Sequence, residues 1–196
     1  MKKIIMIVII MLLSVSVFAQ SEKNEQKVMK PALLVIDIQN QYKDFIPDQE
    51  REIGIYMMNA AIALFRAHDL PIIRIYHSDV EWKVPAPGTE EFEFWDGVQV
   101  DSNDAMVIKN YPDGFKKTDL EKLLKEKGIN TLFLTGLSAV GCVLATYHGG
   151  MVRDYNTFLV KDAIMSHDKN FTDMIEQAYD AIGWDAMKFM IQYMRR

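Results

Sequence analysis

Five apolar runs in this chain end on, or lead into, side chains that could do chemistry. "PALLVIDIQ" (31–39) carries Asp37, "LPIIRIYHS" (70–78) carries His77, "AMVIK" (105–109) ends on Lys109, and "TFLVKDA" (157–163) carries Asp162. "TLFLTG" (131–136) leads through Gly136-Leu137-Ser138-Ala139-Val140-Gly141 to Cys142, the single cysteine. A thiol is a strong nucleophile once it has lost its proton. A carboxylate beside it can take that proton and later deliver it to a departing amine. A nearby ammonium favours the thiolate, as do the unpaired N–H groups at the start of a helix. The expectation is a reactive Cys142 of lowered pKa, attended by Asp37 and Lys109. The segment 136–141 must bend sharply, and its glycines allow unusual backbone angles. Backbone N–H groups of Ser138 and Cys142 could then converge on a negative oxygen developing during reaction. Each residue has a plainer reading too. Cys142 could be a small buried hydrophobe, Asp37 a solvated strand end, and Lys109 a surface lysine. The gathering of ionisable groups at the ends of apolar runs favours a site.

The elements that would position these groups follow from pattern. All five runs are rich in Val, Ile, Leu and Phe and are continuous rather than alternating, as in parallel strands covered on both faces. Between them, Arg51–His68 repeats apolar residues at three- and four-residue steps, the mark of an amphipathic helix. Thr118 and Glu121 open a second helix at capping-box spacing, and Gly128 closes it. Cys142–Arg153, Thr172–Ile182 and Trp184–Tyr193 read as further helices. Strand and helix in alternation give an α/β fold, a three-layer α/β/α sandwich around a mainly parallel sheet. Ligands of such sheets bind at the carboxyl ends of the strands, where the five side chains fall. The stretch 78–104 lacks clear periodicity and reads as a loop covering the pocket.

The chain opens "MKKIIMIVIIMLLSVSVFAQ", with two lysines, an apolar run and small residues at cleavage spacing. This is the layout of a secretory signal peptide over residues 1–19, cut after Ala19. The run falls short of the ~20 apolar residues that span a bilayer, so no stable membrane insertion is expected after cleavage. A flexible segment, 20–30, would lead into one domain, 31–196, in a periplasmic or secreted protein. The formal net charge of −5 and the lack of a basic cluster argue against nucleic acid as a partner.

Three blocks in order resemble the isochorismatase-like cysteine hydrolases, a superfamily that includes nicotinamidases. They are "LLVIDIQNQY", "VIKNYPDGF" with "TDLEKLLKEKGINTLFLTG", and "GLSAVGCVLATYHGGMVRDYNTFLVKDA". The likeness runs from about Ala32 to Gly183, most of the chain. It implies an Asp–Lys–Cys triad on Asp37, Lys109 and Cys142, and a cis peptide at Leu137–Ser138. It also implies oxyanion donors at the Ser138 and Cys142 N–H groups, and a homo-oligomer, dimer or tetramer. Tyr42 stands where the family pattern places a pocket wall. Gln39 would orient the substrate or Asp37, and His77 and Trp95 would help bind a small-molecule substrate. Trp82, Phe92 and Phe94 could line the pocket or simply pack. Two departures matter. Ala139 stands where the family usually has threonine. His77 and Asp79 in "HSD" reverse the Asp-x-His order of metal-dependent nicotinamidases, with no further histidine in 78–104. No metal and no cofactor are therefore expected. His68 reads as a helix end, and His148 and His167 as surface residues.

The reaction implied is cleavage of a C–N bond in a small molecule, by attack of Cys142 and hydrolysis of a thioester. A vinyl-ether hydrolysis of the isochorismatase type is the alternative within enzymology. A redox thiol, oxidised to sulfenic acid, is the alternative outside hydrolysis.

Overall fold

The computed structural model describes residues 28–79, 81 and 85–194. The expected signal peptide, its cleavage point, most of the segment 20–30 and Trp82 lie outside the described residues. Six parallel strands form one sheet: β1 (Pro31–Ile36), β2 (Ile72–His77), β3 (Ala105–Lys109), β4 (Thr131–Leu137), β5 (Asn156–Met165) and β6 (Ala181–Ile182). Their spatial order is β3-β2-β1-β4-β5-β6. The helices are α1 (Asp48–Ala67), α2 (Leu120–Glu126), α3 (Leu144–Met151), α4 (Lys169–Ala178) and α5 (Trp184–Tyr193).

Successive strand residues point to opposite faces, so each continuous apolar run serves two cores. Leu33, Val35, Phe133 and Val160 face α1 and α5, packing on Met58, Ile62, Phe65, Met187 and Ile191. Ala32, Leu34, Leu132, Leu134 and Leu159 face the other way, onto Leu120 and Leu124 of α2, Tyr147 of α3 and Ile175 of α4. The result is the three-layer α/β/α sandwich.

Two elements differ from expectation. The helix read over Thr172–Ile182 begins earlier, at Lys169, because the Asp168 carboxylate accepts a hydrogen bond from the Asn170 N–H at 2.8 Å. It ends at Ala178, and Ala181–Ile182 instead pair with Leu159–Val160 as the edge strand β6. The run read as 157–163 extends to Met165 through an irregularity: Leu134 pairs with Leu159, but Gly136 already pairs with Ile164. Asp162 occupies that bulge with φ 61°, exposed, its N–H donating to Glu176 Oε1. It is not at the carboxyl end of its strand. Met165, Ser166 and His167 are.

The described part of 78–104 is pinned beside the sheet. Trp95 N–H donates to the Ile38 carbonyl and Asn40 N–H to the Glu93 carbonyl. Phe92 and Phe94 stack on Tyr76, with centroids 4.7 and 4.2 Å away. These aromatics are core, not pocket wall.

β1 and β4 approach closely at the point where both must deliver functional residues. Gly136, paired with Ile36, has φ 113°, and a Cβ there would lie 2.0 Å from the Ile36 carbonyl oxygen. Gly136→Ala should therefore lower the unfolding free energy by about 4 kcal/mol or more. Urea denaturation checks this, and an unchanged midpoint would mean that β1 can move aside.

Candidate active site

Asp37 follows β1 immediately, with φ 52° and its N–H donating to the Ile75 carbonyl at 2.8 Å. Lys109 is the last residue of β3, in register with His77, the last of β2. β2 separates β1 from β3, so the lysine stem must reach across the end of β2 to meet Asp37. It does: Lys109 Nζ lies 2.7 Å from Asp37 Oδ2, with side-chain exposures of 0% and 3%. Two ions so hidden persist only because they neutralise each other. The second carboxylate oxygen, Oδ1, is buried and has no hydrogen-bond partner.

Cys142 sits on a wide turn, Ala139–Val143, that feeds α3. Gly141, at φ −123° and ψ −110°, breaks the helical path inside it. The Ser138 carbonyl gathers the N–H groups of Gly141 at 2.8 Å and Val143 at 3.2 Å. The Leu137–Ser138 peptide is cis. This turn carries the sulfur to Asp37 and His77: one carboxylate oxygen, one ring nitrogen and Sγ all lie within 4.8 Å of one another. His77 Nδ1 is 4.0 Å from Sγ.

The electrostatics reverse one expectation. Burial first, and the Asp37 charge second, push the Cys142 thiol up to about 12, against a smaller opposing pull from Lys109. The reason is geometric. The ammonium is already engaged by Asp37, so the sulfur meets a nearly neutral pair in a poorly solvated pocket. Burial and the carboxylate thus favour the thiol over the thiolate. His77 moves the other way: burial, then Lys109, lower its pKa and favour the neutral ring. Tyr42 is raised well above the usual phenol range, by burial and then by Asp37 and Cys142, and stays a protonated donor.

A cavity of about 430 Å³ opens onto the sulfur. Asp37, His77, Ser138 and Cys142 line its reactive end, and Tyr42, Phe45, Ile46 and Leu137 supply an apolar wall. His167 also lines it. The sequence pattern places that residue on the surface, because it ends the strand at residue 163 where β5 in fact runs to Met165. Only the pairing of Gly136 with Ile164 could have carried the strand onward. Phe45 and Ile46 arrive on a 3-10 turn, Asn40–Phe45, which has no periodicity to announce it.

Two residues expected to touch substrate are not among those that line the cavity. Gln39 is fully buried, and its side chain acts as a strand extension: Nε2 donates to the His77 carbonyl at 3.0 Å, and Oε1 accepts from the His77 N–H at 2.8 Å. Trp95, 1% exposed, donates from Nε1 to the Gln39 carbonyl at 2.7 Å. Gln39 thus holds the His77 backbone, and Trp95 holds Gln39. Polar atoms this deep must be paired, and these two pair with backbone.

Asp37, His77 and Cys142 have the atom types to hold a metal ion. The set does not fit a hydrolytic one. An ion there would sit on the nucleophile itself, and the Lys109 ammonium paired with Asp37 would oppose a second cation.

A parallel α/β sheet that presents an acid, paired with a buried lysine, and a half-buried thiol at one cavity is the architecture of a thiol hydrolase. The chain belongs to the isochorismatase family, whose domain it matches over residues 31–183. The isochorismatase family protein YddQ of Bacillus subtilis is 30% identical over 159 residues, covering 76% of this chain and 86% of that protein. Streptothricin hydrolase of Streptomyces noursei is 28% identical over 140 residues, 70% of this chain and 55% of that protein. The crystal structure of N-carbamoylsarcosine amidase from Thermoplasma acidophilum superposes with a TM-score of 0.68 at 29% identity, covering 79% of this chain and 95% of that one.

The raised thiol pKa has a direct readout. The rate of Cys142 alkylation by iodoacetamide should keep climbing above pH 9, without a plateau near neutrality. A midpoint below the ordinary thiol value of about 8.5 would contradict the burial argument.

Proposed function

We propose that this protein is an exported cysteine hydrolase that cleaves an amide-type C–N bond of a small molecule through a thioester on Cys142. The observation that carries the reading is the buried Asp37–Lys109 pair beside the thiol, with Asp37 Oδ1 left unpartnered. Deprotonation of so reluctant a thiol must accompany attack. Asp37 Oδ1 accepts the S–H proton as Sγ bonds to the carbonyl carbon. The proton then passes to the departing nitrogen, whose bond to carbon breaks. Lys109 keeps Asp37 in place and balances its charge throughout.

The tetrahedral oxygen is received by the N–H groups of Ser138 and Cys142, at the turn where both residues line the cavity. Loss of one such donor typically costs about 100- to 1000-fold in rate. Cavity size supports a small substrate, since about 430 Å³ is at the lower end of ligand pockets. Two relatives named for the cleavage of such compounds, streptothricin hydrolase and N-carbamoylsarcosine amidase, support the bond type. The redox alternative is disfavoured, because burial and the Asp37 charge raise the thiol pKa and oxidation proceeds through the thiolate. Export is supported by the charged, apolar and small-residue order of residues 1–19.

Ammonia release from a panel of small primary amides should fall to background in Cys142→Ala and by roughly 100-fold or more in Asp37→Asn, which cannot accept the proton. EDTA should leave the wild-type rate unchanged. Hydrolysis that survives Cys142→Ala would end the thioester reading. Secreted or periplasmic material should begin at Gln20 by N-terminal sequencing; an intact Met1 on material recovered outside the cytosol would refute the cleavage.

A further inference from the structure

The cavity has two unlike ends. Asp37, His77, Ser138 and Cys142 form the reactive one, which carries the sulfur, the proton acceptor and the oxyanion donors. The departing nitrogen must stand beside Asp37 to receive its proton, so the remaining space is left to the group on the scissile carbonyl. Tyr42, Phe45, Ile46 and Leu137 wall that space.

Phe45 and Ile46 are fixed there by their own tethers. They close the turn Asn40–Phe45 just ahead of Pro47. Arg51, on the first turn of α1, donates from Nη1 to the Lys43 carbonyl at 3.0 Å and to the Ile46 carbonyl at 3.2 Å. Its Nη2 pairs with Asp48. At the other end of the turn, the Asn40 and Gln41 N–H groups donate to the Glu93 and Glu91 carbonyls at 2.9 and 3.0 Å. Held in this way, the large apolar ring of Phe45 stays 64% exposed at the cavity opening, while Ile46 beside it is 5% exposed. A wall fixed before the ligand arrives loses little freedom on binding.

The cations near this wall are already engaged. Lys109 is fully buried against Asp37, and Arg51 is committed to the turn and to Asp48. A carboxylate on the substrate would lose its hydration against hydrocarbon and meet the Asp37 charge at the reactive end. His167 also lines the cavity, exposed, with its ring against Phe171 at 5.4 Å between centroids.

We propose that Phe45 and Ile46 are specificity-determining residues, selecting substrates whose scissile carbonyl bears an uncharged, apolar group: aliphatic or aryl carboxamides rather than charged ones. This rests on the thioester reading above and deepens it. The wall takes no part in making or breaking bonds. It holds the acyl group through attack and hydrolysis alike, and so sets which acyl groups are admitted.

The test compares acylation of Cys142 by p-nitrophenyl acetate, p-nitrophenyl hexanoate and the mono-p-nitrophenyl ester of adipate, which matches hexanoate in length but ends in a carboxylate. Mass spectrometry confirms the acyl group on Cys142, and each rate is divided by that ester's rate with N-acetylcysteine. Hexanoate should outrun acetate by about 10-fold or more, and the adipate ester should trail hexanoate by a similar factor. Phe45→Ser and Ile46→Ala should each shrink the hexanoate-to-acetate ratio by about 3-fold or more, whereas Phe45→Leu should retain it. Phe45→Arg should bring the adipate ester level with hexanoate. Ratios taken within one variant do not depend on how much of it is folded. Equal rates for hexanoate and the adipate ester in wild type overturn the assignment, the result expected if His167 receives an anion. A hexanoate preference that survives Phe45→Ser overturns it too. If the selectivity appears but no amide is cleaved, the bond type falls and the wall keeps its role. If no ester acylates Cys142, the thioester reading and this inference fall together.

Discussion

The site is organised by one buried ion pair. Lys109 and Asp37 lie at the ends of strands that are not neighbours, and their contact closes over the end of β2. Neither ion could remain in so dry a place alone. Removing one partner from a buried pair typically costs about 3–5 kcal/mol, because the other charge is stranded. The pair therefore sets the height of three strand ends relative to one another. His77 is the middle one, in register with Lys109. Whatever chemistry occurs at Cys142 is conducted against this fixed, nearly neutral wall.

That neutrality shapes the nucleophile. An ammonium free to face the sulfur would stabilise a thiolate, but this one is already matched. Desolvation and the carboxylate, which both favour the thiol, outweigh the opposing pull of Lys109. On the proposed reading, the Asp37 oxygen left without a partner takes the thiol's proton. On that reading too, the reactive anion is generated during attack rather than held at rest.

Close backbone approach completes the arrangement. Gly136 lets β4 lie against Ile36 so tightly that no Cβ fits, and the chain then turns through the cis Leu137–Ser138 peptide toward Cys142. Opposite, Gln39 continues the pairing of β1 with β2 by side chain after the backbone ladder has stopped. Both devices act on position, one bringing the thiol in and the other holding the imidazole beside it.

Apolar runs with β-branched residues, helices with period near 3.6, and the glycines and acids that end them were enough to determine the sandwich and its parallel sheet. They also placed Asp37, Lys109 and Cys142 on the same rim, because strand ends in such sheets share one edge. Short-range pattern is legible wherever a residue's neighbours in sequence are also its neighbours in space. It failed where partners come from afar. Asp162 looked like a strand end until β4 drew β5 onward to Met165, and His167 reached the cavity for that same reason. Gln39 and Trp95 looked like substrate contacts, yet their partners are backbone groups 38 and 56 residues away. The thiol's protonation was decided in the same way, since whether Lys109 serves the sulfur or the carboxylate depends on a separation of a few ångströms across three strands. Composition determines which groups are available. Only the packed structure decides which of them is left without a partner.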